Sequence, residues 1–307
     1  MNHDLFDFSP IVKRPPIEWP GGAKVAFYVG LNIEHFHVDT PSTSIVDTTT
    51  HLIPDALNYG WRDYGPRVGV WRVMEALDRH GVRASVLLNS EAADHYPQII
   101  EAGTERQWAW LAHGATNSAL HAGMEPDLER KVLADVVDRI EAATGARPRG
   151  WMGPALTETF NTADILADLG LSYTLDWTHD DQPYWFKNGR VMSLPYSVEL
   201  NDVVFFTMKG GSGPDFELMI RDQLDQLVED QPSGRVMALA LHPFVIGQAF
   251  RTKYLDRALA YVASHPDVWL ATADEIAAHY ATSAAHSGTS AEPLGYVDGR
   301  FGRPQER

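Results

Sequence analysis

The chain contains no cysteine among its 307 residues. Disulfide bonds, thiolate metal ligands and a cysteine nucleophile are therefore all excluded. Basic residues are also scarce: 25 lysines and arginines against 41 acids give a formal charge of −16, which argues against nucleic acid or an anionic membrane as a partner. No apolar run approaches the roughly 20 residues that span a bilayer. Residues 1–16 carry acids where a secretory signal has bases, so cytoplasm is the expected location.

Apolar runs alternate with amphipathic segments along most of the chain. The runs KVAFYVGLN, RASVLLN and VMALALH are apolar throughout, as expected of strands buried on both faces. Seven to nine such strands, most of them alternating with helices, predict an α/β fold, a distorted (β/α) barrel of seven to eight mostly parallel strands. No glycine-rich dinucleotide fingerprint follows the first strand, which argues against a Rossmann fold.

Three local predictions refine this outline. A long polar loop spans His37 to Asp63, a helix begins at Pro66, and DVVFFTM is a candidate strand. One catalytic barrel domain is expected over residues 1–280, starting with a Pro-rich strap. After Ala281 the composition shifts to Ser, Ala, Gly and Pro, which predicts a flexible tail over residues 281–307.

Polar side chains follow the apolar runs at the points where the strands should end. Asn32 and Glu34 lie two apart after the first run, so their side chains point the same way. His113 and Asn117 lie four apart and share a face if that segment turns helically. His242 closes the VMALALH run. Because the carboxyl ends of parallel strands meet at one rim, these positions predict an active site.

A second set of candidates lies near aromatic residues. Asp180 and Asp181, which follow Trp177, are candidate substrate contacts, as is Asn32, and Trp151 and Trp185 could form walls for a substrate. A structural role stays open for each of them, because such acids often cap loops and such tryptophans often fill cores.

These segments, in this order, resemble the polysaccharide deacetylase (NodB-homology) superfamily, and in particular its allantoinase-like and cyclic imide hydrolase branch. The resemblance covers roughly residues 15–280 and rests on IEWPGGAKVAFYVGLNIEHF, YGPRVGVWRVMEALDRHGVRASVLLN, HGATNS, GWMGP, DDQPYW, LPYS and LALHPF. It implies a distorted (β/α) barrel, hydrolysis of C–N bonds other than peptide bonds, and a homo-oligomer. GWMGP occupies the segment in which an arginine is expected.

The resemblance leaves the cofactor open. Metal-dependent members hold zinc with an acid of the first motif and two histidines of an H-x-x-x-H motif. Carried over, Glu34 matches the acid, His113 matches the first histidine, and Asn117 stands in place of the second. The metal ligands would thus be Glu34, His113 and Asn117, and the alternative is a site that works without an ion. Zinc or another divalent metal is the candidate cofactor.

The remaining motif positions indicate which residues correspond to the family's base and acid. Asn32 stands where the family has a carboxylate that acts as the base. His242 matches the final histidine, which protonates the leaving group in the family. A second register would make Glu34 the base and give the metal to His35. We disfavour that register, because strand alternation points His35 away from Glu34.

The implied reaction is hydrolysis of a small cyclic or linear amide, ureide or imide. Glu34 would activate water, His113 and Asn117 would position or polarise the carbonyl, and His242 would protonate the departing nitrogen. A small molecule is favoured over a polymer because the polar loop could close over a compact ligand. Two alternatives stay open: a metal-dependent carbohydrate N-deacetylase, and a non-catalytic binding protein with a decayed site.

Overall fold

The structure is a computed structural model that describes residues 3–286. Within that range the chain forms a curled sheet of nine strands. They are β1 (Val25–Ile33), β2 (Ala84–Leu88), β3 (Ala109–Ala112), β4 (Gly150–Trp151), β5 (Tyr173–Thr174), β6 (Tyr184–Trp185), β7 (Met192–Ser193), β8 (Arg235–Leu241) and β9 (Val268–Leu270).

The strand order confirms the predicted barrel. Neighbouring strands run β6-β7-β5-β4-β3-β2-β1-β8, and β9 pairs with the first half of β1. The pairs are parallel except for β6 with β7. No strand pairing within residues 3–286 joins β6 to β8, and isolated contacts such as the bridge between Asn201 and Ala240 cross that edge instead. All nine residues of β1 are buried, which explains its unbroken apolar run.

Helices pack on the sheet, most of them on its outer face. They are α1 (Ala56–Tyr64), α2 (Val70–Arg79), α3 (Ser90–His95), α4 (Pro97–Glu105), α5 (Pro126–Thr144), α6 (Thr162–Asp168), α7 (Gly213–Glu229), α8 (Pro243–Ile246), α9 (Ala249–Ser264) and α10 (Ala273–His286). One apolar cluster fills the space between these helices and the sheet. A second cluster, which includes Tyr28, Leu87, Leu111 and Tyr196, fills the barrel interior.

Two local predictions were wrong. The helix expected from Pro66 begins at Ala56, and a π-helical turn over Gly65–Gly69 joins α1 to α2. The candidate strand DVVFFTM is helical instead. The Asn201 side chain accepts the backbone N–H groups of Val203 (3.0 Å) and Val204 (3.3 Å), and such capping starts a helix.

The structure also describes the Pro-rich head and the start of the predicted tail. At the Pro-rich head, the Ile17 backbone N–H donates to the Ser233 carbonyl at 3.1 Å, beside the amino end of β8. The first six residues of the predicted tail belong to α10, and residues 287–307 lie outside the described part. The single domain over residues 1–280 stays a prediction. Within residues 3–286, no helix has the length and apolar character needed to cross a bilayer.

Candidate active site

The rim of the barrel brings together an acid and two histidines from three strands. Glu34 follows β1, His113 follows β3 and His242 follows β8. The Nε2 atoms of His113 and His242 lie 3.5 and 3.8 Å from the same Glu34 oxygen, Oε1. The three side chains are at most 10% exposed. The structure therefore places these three predicted residues in one buried cluster.

Asn117 reaches the same cluster, and its orientation follows from a chain of hydrogen bonds. The backbone N–H of His35 donates to Asn89 Oδ1 at 2.9 Å, which fixes the Asn89 amide. The Asn89 NH₂ group must then face Asn117 Oδ1, at 3.0 Å. Asn117 consequently turns its own NH₂ group toward Glu34 and donates to Oε1. Asn117 thus holds the Glu34 carboxylate in place.

This arrangement tests the zinc ligands implied by the resemblance. Glu34 Oε1 and His113 Nε2 lie close enough to share an ion. Asn117, however, presents N–H donors to Glu34 instead of a lone pair, and an N–H donor cannot ligate a cation. The donor set therefore does not fit a zinc site made of Glu34, His113 and Asn117.

Asp202 orients His242, and the sequence reasoning missed it because the surrounding segment looked like a strand. The fully buried Asp202 accepts the Nδ1–H of His242 at 2.7 Å and its backbone N–H at 2.8 Å. Nε2 consequently faces Glu34. Burial acts to lower the pKa of His242, but the charges of Asp202 and Glu34 outweigh burial and raise this pKa above its ordinary value. His242 is thereby suited to hold a proton at Nε2.

His113, in contrast to His242, presents a lone pair at Nε2. Its Nδ1–H donates to the Met152 carbonyl at 2.7 Å, so the neutral ring leaves Nε2 without a proton. The N–H of the same peptide group, on Gly153, donates to Asp176 at 2.8 Å. This carboxylate polarises the peptide and strengthens its carbonyl as an acceptor. The buried Nε2 has no hydrogen-bond partner among the described residues, so it can accept one from a ligand.

Asp176 shares its surroundings with a second carboxyl group, that of Glu158. Burial, and then the charge of Asp176, raise the pKa of Glu158 well above its usual range. Glu158 therefore keeps a proton at neutral pH, and Asp176 stays the charged member of the pair. Sequence analysis singled out neither residue.

Asn32, which stands at the position of the family's base, faces the barrel interior. Its NH₂ group donates to the Tyr196 hydroxyl at 3.2 Å and to the Leu241 carbonyl at 3.1 Å. A carbonyl can only accept, so the amide orientation is fixed. Asn32 Oδ1 is left buried and without a partner among the described residues. The rim thus contains two unused acceptors, Asn32 Oδ1 and His113 Nε2.

The segment that was predicted as a polar loop, which includes α1, forms a roof over Glu34. Tyr59, Arg62 and Asp63 line a cavity of about 10 Å³ beside Glu34, which is room for roughly one water molecule. The roof segment, residues 37–64, therefore leaves only a water-sized space above the carboxylate.

The acids predicted as substrate contacts lie elsewhere. Asp180 forms a two-point ion pair with Arg14, at 2.8 and 2.7 Å. The Asp181 carbonyl accepts the N–H of Val236, at the amino end of β8. His242 follows Val236 by six residues, which is about 20 Å along a strand. The two acids are held at the opposite end of the barrel from the Glu34 cluster.

The two predicted tryptophans are also absent from the cluster. Trp185 pairs with Met192 and lines a separate cavity of about 1850 Å³ along the edge between β6 and β8. Trp151 is fully buried in the core between sheet and helices. A substrate-binding role for either tryptophan stays a prediction.

Known proteins share both the sequence pattern and the fold of this chain. The polysaccharide deacetylase family model matches residues 62–174. A Schizosaccharomyces pombe protein described as "Putative polysaccharide deacetylase" is 28% identical, over 91% of this chain and 95% of that protein.

Two solved structures extend the likeness over most of the chain. The "probable Polysaccharide deacetylase from Pseudomonas aeruginosa PAO1" superposes with a TM-score of 0.81 at 26% identity, covering 89% of this chain and 98% of that one. Puue allantoinase superposes with a TM-score of 0.80 at 25% identity, covering 91% and 99%. The predicted class, a hydrolase of C–N bonds other than peptide bonds, is confirmed at that level. In sequence pattern, fold and rim chemistry together, the chain is similar to the polysaccharide deacetylase superfamily.

Proposed function

We propose that this chain hydrolyses the C–N bond of a small cyclic or linear amide, ureide or imide by acid–base activation of water. One observation carries the proposal: a buried carboxylate, Glu34, lies 3.5 Å from an imidazole lone pair and 3.8 Å from a second imidazole that favours its protonated form. Amide hydrolysis needs a base for water and an acid for the leaving nitrogen.

The geometry supports the following proton movements. Glu34 removes a proton from water, and the water oxygen bonds to the carbonyl carbon. When the C–N bond breaks, His242 transfers its Nε2 proton to the departing nitrogen. The proton on Glu34 then passes to His242 across their 3.8 Å separation, which restores both groups.

The unused acceptors suggest how the substrate is oriented. Sequence analysis assigned His113 to position or polarise the carbonyl, but a lone pair at Nε2 repels a carbonyl oxygen and instead accepts from water or a substrate N–H. Asn32 Oδ1 is a second acceptor of the same kind. Ureides carry several N–H groups and can donate to both acceptors, whereas a cyclic imide has one N–H and can donate to one of them. Asn117 acts indirectly in this scheme, by orienting Glu34.

Two substrate classes compete. The likeness to Puue allantoinase supports a ureide. The relatives described as polysaccharide deacetylases support a carbohydrate N-acetyl group instead. The poor fit of the zinc ligands favours the first class, because metal-dependent deacetylation requires that site.

A substrate panel separates the two classes. We expect ring opening or ammonia release with allantoin, hydantoin or succinimide, and no acetate from N-acetylglucosamine oligomers. Turnover of the oligomers alone would reject the small-amide proposal in favour of carbohydrate deacetylation. A folded protein that binds a panel member without turning it over would support the non-catalytic alternative.

A further inference from the structure

Two histidines and a glutamate form a separate cluster on the outer side of the rim. His35 Nδ1 lies 3.2 Å and His37 Nε2 lies 2.7 Å from the same oxygen of Glu91, Oε2. The three candidate ligand atoms all lie within 4.8 Å of one another. Two imidazole nitrogens and a carboxylate oxygen therefore converge on a space the size of one ion.

Each of the three residues is positioned by contacts outside the cluster. The His35 backbone N–H donates to Asn89, and its ring stacks on His95 with centroids 4.3 Å apart. The His37 backbone N–H donates to Ser118 Oγ at 2.9 Å. Glu91 lies in the first turn of α3 and is anchored by the Ala115 carbonyl, which accepts its N–H at 3.0 Å. Binding an ion would therefore need little rearrangement of these residues.

This cluster is distinct from the Glu34 site. Glu34 and His35 are adjacent in the chain, but their side chains point to opposite sides of the rim, Glu34 toward His113 and His35 toward Glu91. His37 is 41% and Glu91 is 24% exposed at the side chain, so solvent reaches the cluster.

We propose that His35, His37 and Glu91 bind one divalent cation of the zinc class, with water as the fourth ligand. Two imidazoles and one carboxylate are a donor set that zinc and its neighbours in the transition series prefer, whereas magnesium and calcium prefer oxygen ligands alone. The ion joins the first residue of the roof segment, His37, to α3. It therefore fixes the roof over the Glu34 site without taking part in the chemistry there.

Metal titration tests the proposal directly. Apo protein, prepared with a chelator and then freed of it, is titrated with Zn²⁺ by calorimetry and with Co²⁺ by visible absorption. We expect one ion per chain, and about 100-fold or more weaker binding in His37→Ala and in the isosteric Glu91→Gln, because ligand loss exceeds the 10–100-fold effect of losing a supporting group. Circular dichroism of each apo variant checks that it is folded.

Two matched variants serve as controls. His80 pairs with Asp256 at 2.9 Å, a histidine–carboxylate pair without a second histidine, and His80→Ala should leave binding unchanged. Glu34→Gln should also leave it unchanged. Loss of binding in Glu34→Gln with full binding in His37→Ala would place the ion at the hydrolytic site and overturn the proposal. Failure of folded wild-type protein to bind either ion would overturn it as well.

Discussion

At the scale of single residues, the chemistry of His242 depends on a partner 40 positions away in the chain. Asp202 accepts hydrogen bonds from both the ring and the backbone of His242, and it supplies charge that burial alone would not provide. An imidazole with a raised pKa carries its proton in a larger fraction of molecules at neutral pH, so the acid form is available for catalysis.

Asp202→Asn tests this dependence. The acid form of His242 is required, so activity falls as pH rises through its pKa, and the asparagine removes the charge that raises this pKa. We expect the alkaline limb of kcat/KM to move to lower pH. Asp225→Asn, which removes an acid paired with Tyr261 on the surface, should not move it. An unchanged limb in the Asp202 variant would contradict the assigned acid.

The residues of the site differed in how far sequence could predict them. Glu34, His113 and His242 follow buried strands, and the geometry of a parallel barrel alone brings such positions together. The orientation of Asn117 was not predictable, because it depends on a hydrogen-bond chain through Asn89. Asp202 had one local signal, the capping pair Asn-Asp before an apolar run, which was overlooked.

At the scale of elements, the helix from α1 to α2 positions the turn that follows His242. A methyl group at Gly69 would lie 2.0 Å from the Pro243 carbonyl oxygen, and one at Gly65 would meet the Phe244 backbone. Only glycine allows this helix to approach α8 so closely. The position of His242 therefore depends on backbone contact between two elements.

Gly69→Ala should displace that contact. We expect a loss of about 1–3 kcal/mol in the free energy of unfolding, as for other overpacked sites, together with a lower kcat because Pro243 adjoins His242. Gly60→Ala in the same helix has no atom within 4 Å of the new methyl group, so it should gain about 0.5–1 kcal/mol. Urea unfolding measures both. Equal stability of the Gly69 variant and wild type would refute the packing argument.

Long strands and helices were predictable, whereas α1 was not. Hydrophobic periodicity reveals a helix whose buried face is apolar, but the buried residues of α1 are Asn58 and Arg62. Asn58 accepts the backbone N–H groups of Ile45 and Val46, so the helix anchors the roof through polar contacts. A polar stretch with this role is indistinguishable from a loop by pattern alone.

At the scale of the whole molecule, contacts along the edge between β6 and β8 stabilise the fold, whereas the proposed chemistry takes place at the other end of the barrel. Residues of the Pro-rich head line the large cavity at this edge, and Arg14 ties the head to Asp180. The Glu34 cluster lies at the other end of β8. The sequence predicted the head as a strap, and the homo-oligomer stays a prediction.

Asp180→Ala tests whether Asp180 stabilises the fold or contacts the substrate. Arg14 would lose its partner in a region where both side chains are less than a fifth exposed, so we expect a loss of about 1–3 kcal/mol in the free energy of unfolding. KM for the small-amide substrate should not change, because the cluster lies about 20 Å away. A raised KM with unchanged stability would return Asp180 to the substrate site.

The most direct measurement of the central claim is the turnover of Glu34→Gln with the amide identified by the panel. The glutamine keeps the size of the side chain and removes the base, so we predict that kcat falls by about 10²–10⁴-fold while the variant stays folded and still binds the substrate. Turnover at the wild-type rate would contradict the account, because no other carboxylate lies between His113 and His242 within residues 3–286.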